Sequence, residues 1–415
     1  MKRKLLTGNG AAAWGARLAK ADYIPAFPIT PQTEIIETLA KWIDTDEMEG
    51  RLVTLESEHS MITAAGTAAS TGVRVFTATS SQGLLYAMEM LYTVAGWRAP
   101  LVLVNVSRGL SAPITLEADH NDVMAARDSG FLQIHCSTCQ EVLDGVIMAY
   151  RISEDQKIRL PIIVNLDGFY LSFTREPVEL PDKEAVDAFL PPFDAGNIKL
   201  RANMPESQAV VVLGGSPYSY FRYEMHLAEM NGLNIYESVA GEFKKHFGRE
   251  YASVESYRTD DAEYLFVMMG SFATKAKEAV DRLRDAGWTI GLLRPRLFRP
   301  FPAPTFQKLC RGKKAVAVID QNLSMGKGGI LHGELASALY GHNEMPTILA
   351  SFIGGLGGRD ISTEEFFEMA NVIKRSFEEG STPPPRLLYT DEELREIRKL
   401  QTIANVERNS LKGEQ

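Results

Sequence analysis

Two runs constrain the fold more than any other feature of the chain: Pro100-Leu101-Val102-Leu103-Val104-Asn105-Val106 and Pro161-Ile162-Ile163-Val164-Asn165-Leu166-Asp167. Each is apolar at almost every position. A strand with one face in water alternates polar and apolar residues, so a continuous apolar run needs cover on both faces. A parallel sheet between layers of helices provides that cover. Residues 52–56, 73–79, 264–271, 287–293 and 315–320 supply further strand candidates. Helices are expected at 11–20, 64–69, 84–95 and 274–285. This alternation predicts an α/β protein. In such sheets ligands collect beyond the carboxyl ends of strands. Thr30, Glu58, Gln82 and Arg108 each follow a strand candidate, and their convergence points to a site more strongly than any one of them.

At 415 residues the chain is too long for a single core. A second α/β unit is expected to begin near residue 256. Between the units, residues 180–193 are Pro-rich and charged and read as a crossing segment. Residues 209–215 fit one more strand, and the stretch to about 257 reads as irregular and polar. Glycines at 326–329 and 354–358 are expected to mark tight loops, because neither group has Walker spacing. After Pro383-Pro384-Pro385, Thr390-Asp391-Glu392-Glu393 forms a capping box for a charged helix to about Gln401. That helix carries little apolar surface and is expected on the surface or on a partner.

A net charge of −9 argues against nucleic acid and against an anionic membrane as partners. No apolar run is long enough to span a bilayer. The basic start Met1-Lys2-Arg3-Lys4 is not followed by the apolar core of a signal peptide, since Gly8-Asn9-Gly10 breaks it, so a cytoplasmic protein is expected. Cys136, Cys139 and Cys310 are too few for a disulfide framework or a four-thiolate cluster. Cys136-Ser137-Thr138-Cys139 has redox-motif spacing but reads as two small buried residues opening a helix.

In Ala26-Phe27-Pro28-Ile29-Thr30-Pro31-Gln32-Thr33 two prolines flank Thr30, ahead of an amphipathic run. Thr is a favoured N-cap and Pro suits a first helical turn, so Thr30 reads either as an ordinary cap or as a hydroxyl facing an anion. Gly8-Asn9-Gly10-Ala11-Ala12-Ala13 fits a dinucleotide fingerprint only loosely. The preceding residues 4–7 make a poor strand, and no acidic residue follows at the required distance.

Taken in order, several motifs resemble the α subunit of the 2-oxoacid:ferredoxin (acceptor) oxidoreductases, the pyruvate:ferredoxin oxidoreductase family. They are Pro28-Ile29-Thr30-Pro31, Ser57-Glu58, Thr79-Ser80-Ser81-Gln82-Gly83-Leu84, Ser107-Arg108, Asp119-His120-Asn121-Asp122-Val123-Met124, Asp167-Gly168-Phe169, Leu293-Arg294-Pro295 and Gly354-Gly355-Leu356-Gly357-Gly358-Arg359-Asp360. The resemblance implies a pyrimidine-type thiamine-diphosphate domain over 1–255. It implies a transketolase-C-terminal-like domain over 256–378, with 379–415 a linker and partner-docking tail. It implies that a β subunit holds the diphosphate and Mg²⁺, and that γ and ferredoxin-like δ subunits carry iron–sulfur clusters. Coenzyme A would be the co-substrate of an oxidative decarboxylation. Glu58 would press on the aminopyrimidine, with Pro28, Ile29, Ser81, Gln82 and Gly83 around it. Arg108 and Thr30 would hold the substrate carboxylate, and Phe27, His120 and Asp122 would shape the pocket. Glu56 is a rival to Glu58 if the strand continues that far.

Three departures from the family pattern stand out. Gly10 occupies a position usually held by Glu, Phe173 one usually held by His, and Phe27 one commonly held by Tyr. Lost polar groups suggest a bulkier 2-oxoacid, such as an aryl glyoxylate. Two other readings remain open: a non-oxidative thiamine enzyme subunit of transketolase or decarboxylase type, and a non-catalytic nucleotide-binding scaffold.

Overall fold

The computed structural model describes residues 2–413 apart from 197, 198 and 209. Two parallel sheets organise it. In the first, the strand order is Leu297–Arg299, Leu132–His135, Ile162–Asp167, Val102–Ser107, Phe76–Thr79. The last four are mutually parallel, and Leu297–Arg299 runs antiparallel at the edge. A parallel bridge from Tyr23 to Val75 continues this sheet into the pair Tyr23–Ala26 and Arg51–Thr54. The second sheet runs Arg386–Leu387, Ile348–Ile353, Ala315–Asp320, Tyr264–Met268, Ile290–Pro295, Val254–Tyr257, with the last strand antiparallel. The two apolar runs form the centre of the first sheet, and every residue of both strands is buried.

Helix Cys139–Ser153 covers the first sheet and is buried along most of its length. Gly15 of helix Gly8–Leu18 packs directly on it, where an added Cβ would lie 2.7 Å from Val146 Cβ. Only glycine permits that approach. Thr138 caps Cys139–Ser153 by accepting the Glu141 N–H. Cys136 and Cys139 are buried and unpaired, and burial pushes both thiols up. The pair opens a helix, as the sequence implied.

Several expectations need correction. Residues 4–7 do form a strand, Lys2–Thr7, in an antiparallel pair with Arg175–Leu180. Residue 209 lies outside the described residues, and 210–214 have no regular structure. The stretch read as irregular is a 33-residue helix, Gly215–Phe247. Its buried residues Met225, Ala228, Gly232, Tyr236, Val239, Phe243 and Phe247 recur every three or four positions, the helical signature. Polar residues and exposed aromatics such as Tyr218 and Tyr223 mask that stripe. The segment 180–193 contains a short helix, Lys183–Phe189. The tail helix is Asp391–Gly413, longer than expected, and it is capped by Thr390 with Glu393. Arg359 ties it to the body through bonds of 2.7 and 2.6 Å to the Glu393 carboxylate.

A charged cluster joins the two units. Glu141, in the first turn of Cys139–Ser153, bonds Arg294 at 2.6 and 3.0 Å and Arg296 at 3.0 Å. Arg294 also meets Glu255 at 2.6 Å. Burial opposes the Glu141 charge, but the two guanidiniums hold its carboxyl well below the usual range. Removing one member of such a buried set strands the others. Glu141→Leu is expected to cost about 3–5 kcal/mol, measured by urea unfolding. Because the folded-state pKa is depressed, the Glu141 contribution is present above the unfolded carboxylate value and is lost as pH falls below it.

Candidate active site

The site is built where strands end. After Phe76–Thr79 the chain turns sharply at Ser81, whose φ of 47° is left-handed, a conformation a non-glycine residue adopts only when held there. The Asp122 carboxylate holds it, accepting the Ser81 N–H at 2.9 Å. Asp122 also accepts from the Ser107 hydroxyl at 2.7 Å, Asn105 Nδ2 at 3.1 Å and the Val123 N–H at 2.7 Å. Helix Ser81–Tyr86 then carries Gln82 and Gly83 past the strand ends.

Glu58 does not lie on a strand. The strand stops at Thr54, and Ser57 caps a helix, Glu58–Ala69, in which Glu58 is the first residue. Period-two reasoning therefore does not apply to Glu56 and Glu58. Glu58 is 5% exposed, whereas Glu56 is exposed and hydrogen-bonded to the Ser60 hydroxyl, which holds its carboxyl below the usual range. Among the described residues the Glu58 carboxylate has no side-chain hydrogen bond or ion pair. It lies against Gly83, where an added Cβ would be 2.4 Å from Glu58 Oε1 and 2.6 Å from Thr79 Oγ1. Close by in sequence, Thr79 Oγ1 and Ser80 Oγ are buried with no partner among the described residues.

Arg108 follows strand Val102–Ser107 and is 7% exposed. Its Nη1 donates to the Thr30 main-chain carbonyl at 2.7 Å, and its Nη2 donates to Gln82 Oε1 at 2.8 Å. Its Nε is buried with no acceptor among the described residues. Burial pushes the guanidinium's pKa down while Asp122 supports its charge. Thr30 is not a helix cap, because helix Thr33–Asp44 begins later, with Gln32 at the cap position. Thr30 is exposed beside Arg108, and Asn9 fixes the turn by donating to the Pro31 carbonyl at 2.9 Å. Gln32 donates to the Phe27 carbonyl at 2.9 Å. Phe27 and Ile29 are partly exposed, and Pro28 is exposed.

Thr30, Glu58, Ser81, Gln82, Gly83 and Arg108 thus converge. His120 and Asp122 do not line the opening. Asp122 lies beneath it, fully buried. His120 is buried between the two units, with Nε2 2.7 Å from Asp167, and Asp167 accepts the Ser271 N–H at 2.7 Å. Burial alone would push the His120 pKa down, but Asp167, Asp122 and Asp119 hold it above its ordinary value. Neighbouring His135 is pushed down to about 3, by burial and then by the His120 charge. Asn105, Ser107 and Asn165 are site supports that sequence reasoning missed. Their signal was a polar side chain inside an otherwise apolar strand. Among the described residues no group of three or more His, Cys, Asp or Glu could hold a metal ion.

Comparison with known proteins gives this geometry a lineage. Residues 14–238 match the family model described as "Pyruvate flavodoxin/ferredoxin oxidoreductase, thiamine diP-bdg". Residues 262–366 match "Pyruvate:ferredoxin oxidoreductase core domain II". The chain belongs to the pyruvate:ferredoxin oxidoreductase family. Within it, the relatives are named as subunits of larger enzymes. Pyruvate synthase subunit PorA of Methanothermobacter thermautotrophicus is 44% identical over 376 residues, 91% of this chain and 96% of its own. Ketoisovalerate oxidoreductase subunit VorA of Pyrococcus horikoshii is 38% identical over 383 residues, 91% of this chain and 95% of its own. Among solved structures, 2-oxoglutarate:ferredoxin oxidoreductase from Magnetococcus marinus aligns with a TM-score of 0.69 at 20% identity, covering 90% of this chain. This chain spans 65% of that one's length. A split-gene transketolase aligns with a TM-score of 0.51 at 11% identity, over 87% of this chain and 96% of its own. These two likenesses are of fold: a thiamine-enzyme parallel-sheet unit followed by a transketolase-C-terminal-like unit.

The contact between Gly83 and Glu58 leaves no room for a methyl group. Gly83→Ala is expected to displace the Glu58 carboxylate and to cost about 1–3 kcal/mol in denaturant unfolding. Gly96→Ala, where an added Cβ meets nothing within 4 Å, is the control and is expected to be neutral or slightly stabilising.

Proposed function

We propose that this chain is the α subunit of a heteromeric 2-oxoacid:acceptor oxidoreductase and supplies the aminopyrimidine end of a thiamine diphosphate site. One observation carries the reading. A single turn, Ser81-Gln82-Gly83, sets a buried carboxylate, without a side-chain partner among the described residues, against Gly83 and a guanidinium held by neutral acceptors against Gln82. A carboxylate facing a ring nitrogen and a cation facing an anionic substrate are what this chemistry requires. The residues present fit the coenzyme. The Thr79 hydroxyl, without a partner among the described residues, faces the same point at Gly83 as Glu58, at a cost of about 1–3 kcal/mol if left unmet, and glycine at 83 leaves a cradle that a side chain would fill.

Thiamine diphosphate, when bound, supplies a nucleophilic carbon that adds to a 2-oxo group. Glu58 would set its buried carboxylate against the aminopyrimidine nitrogen, away from water. Pro28, Ile29, Ser81, Gln82 and Gly83 would frame the ring. Arg108, beside Thr30, binds and orients the substrate carboxylate. His120 and Asp122 support this arrangement from below.

Tyr86, at the end of the helix that carries Gln82 and Gly83, and Ile114 and Leu116, in the loop whose Ser111 meets Gln82, are exposed. These exposed apolar side chains support a covering β subunit, which would hold the diphosphate and Mg²⁺. Iron–sulfur clusters would sit on γ and δ subunits, with coenzyme A receiving the acyl group. The relatives are named as subunits, and the Magnetococcus enzyme is solved with coenzyme A bound; both support this assembly. No described helix is long and apolar enough to cross a membrane; a cytoplasmic location for the complex is part of the proposal. The relatives are named for pyruvate and ketoisovalerate, so a small aliphatic 2-oxoacid is proposed; they lend no support to an aryl substrate. We divide the chain into 1–253, 254–388 and 389–415. The first boundary moves from 255 because strand Val254–Tyr257 pairs with the second sheet, and the second moves from 378 because strand Arg386–Leu387 pairs with that sheet too.

Glu58→Gln is expected to leave assembly intact and to lower 2-oxoacid decarboxylation by at least about a hundredfold, measured on the purified complex. Unchanged turnover would make the chain a scaffold.

A further inference from the structure

Arg74, Arg249 and Arg294 are low-exposure guanidiniums, and each meets a carboxylate at 2.6 Å: Glu154, Asp144 and Glu141. Arg108 is held differently. Its acceptors are a main-chain carbonyl and the side-chain amide of Gln82, both uncharged. Among the described residues it has no ion pair. The carboxylate acting on it, Asp122, already takes four hydrogen bonds from elsewhere. Gln82 is engaged further at both ends of its amide. The Ser81 hydroxyl lies 2.7 Å from the same Oε1, and Gln82 Nε2 donates to Ser111 Oγ at 2.8 Å. Ser111 belongs to a loop closed by the Gly109 N–H to the Glu117 carbonyl at 3.0 Å. One side chain therefore links the guanidinium to the loop over the site.

We infer that Gln82 is a positioning residue that sets the affinity of Arg108 for the substrate anion. A neutral amide oxygen orients the guanidinium plane as a carboxylate would, but adds no countercharge of its own. More of the positive charge is then available to an incoming carboxylate at a place where water is scarce and the attraction is strong. This rests on the reading of Arg108 as the ligand of the 2-oxoacid carboxylate.

Gln82→Glu tests it with little change of shape. Each group now facing the amide can donate to a carboxylate instead: Arg108 Nη2, the Ser81 hydroxyl and the Ser111 hydroxyl. The geometry is retained and the charge is not. In steady-state kinetics on the assembled complex, the KM for the 2-oxoacid is expected to rise at least about tenfold. The expected change in kcat is smaller, and the KM for coenzyme A and the melting temperature are expected to hold. Gln82→Met, which removes the acceptor but keeps the guanidinium's charge, is expected to raise that KM by less. An unchanged 2-oxoacid KM in Gln82→Glu overturns the inference. So does a larger effect of Gln82→Met, or a parallel rise in both KM values with a fall in melting temperature. Arg108→Gln separates the levels. If it leaves the 2-oxoacid KM unchanged, the parent reading falls as well. If it raises KM while Gln82→Glu does not, Gln82 alone is misassigned.

Discussion

The site hangs on a carboxylate that never reaches its surface. Asp122 is fully buried and takes four hydrogen bonds, from Ser81, Asn105, Ser107 and Val123. Burial pushes its carboxyl above the ordinary range, and the bonds from Ser107 and Asn105 oppose that shift. Through these bonds, two strand ends and the left-handed turn at Ser81 become one rigid unit. The turn in turn fixes Gln82, and Gln82 fixes Arg108. Strain at Ser81 persists because the surroundings over-determine it.

A second carboxylate does comparable work between the units. Asp167 ends strand Ile162–Asp167, meets buried His120 and takes the N–H of Ser271, from the turn after strand Tyr264–Met268. His120 also donates its main-chain N–H to the Gln321 carbonyl at 2.8 Å. The histidine in the Asp119-His120-Asn121-Asp122 motif therefore fastens the two sheets together, while Asp122 at the end of the same motif supports the site. Residues that a motif places side by side divide their labour according to the direction each side chain faces.

Where burial decides conformation, the chain is readable. Strands Val102–Ser107, Ile162–Asp167 and Ala315–Asp320 are apolar at most positions and buried at all of them because both faces are covered, and that pattern has few other solutions. Strand Leu132–His135 hides because Gln133 and His135 are polar yet buried, so period and hydropathy misrepresent it. The helix Gly215–Phe247 hides because exposed aromatics in its first turns and polar residues along the rest blur the stripe. Glu58 stands out by motif, but its local structure does not follow from the residues before it. The Ser57 cap converts a strand end into a helix start, and local hydrogen bonding outweighs the run of strand-forming residues. The roles of Asn105 and Asn165 depend on side chains meeting across strands, which one-dimensional spacing does not encode.

Strand Leu297–Arg299 belongs by sequence to the second half of the chain but completes the edge of the first sheet, beside Leu132–His135. A ribosome making this protein therefore releases the first sheet with an open flank, which stays bare until much of the second half has emerged. A bare flank invites pairing with any extended neighbour. The two halves consequently mature together, and separating them into independently made polypeptides would leave the first without its border.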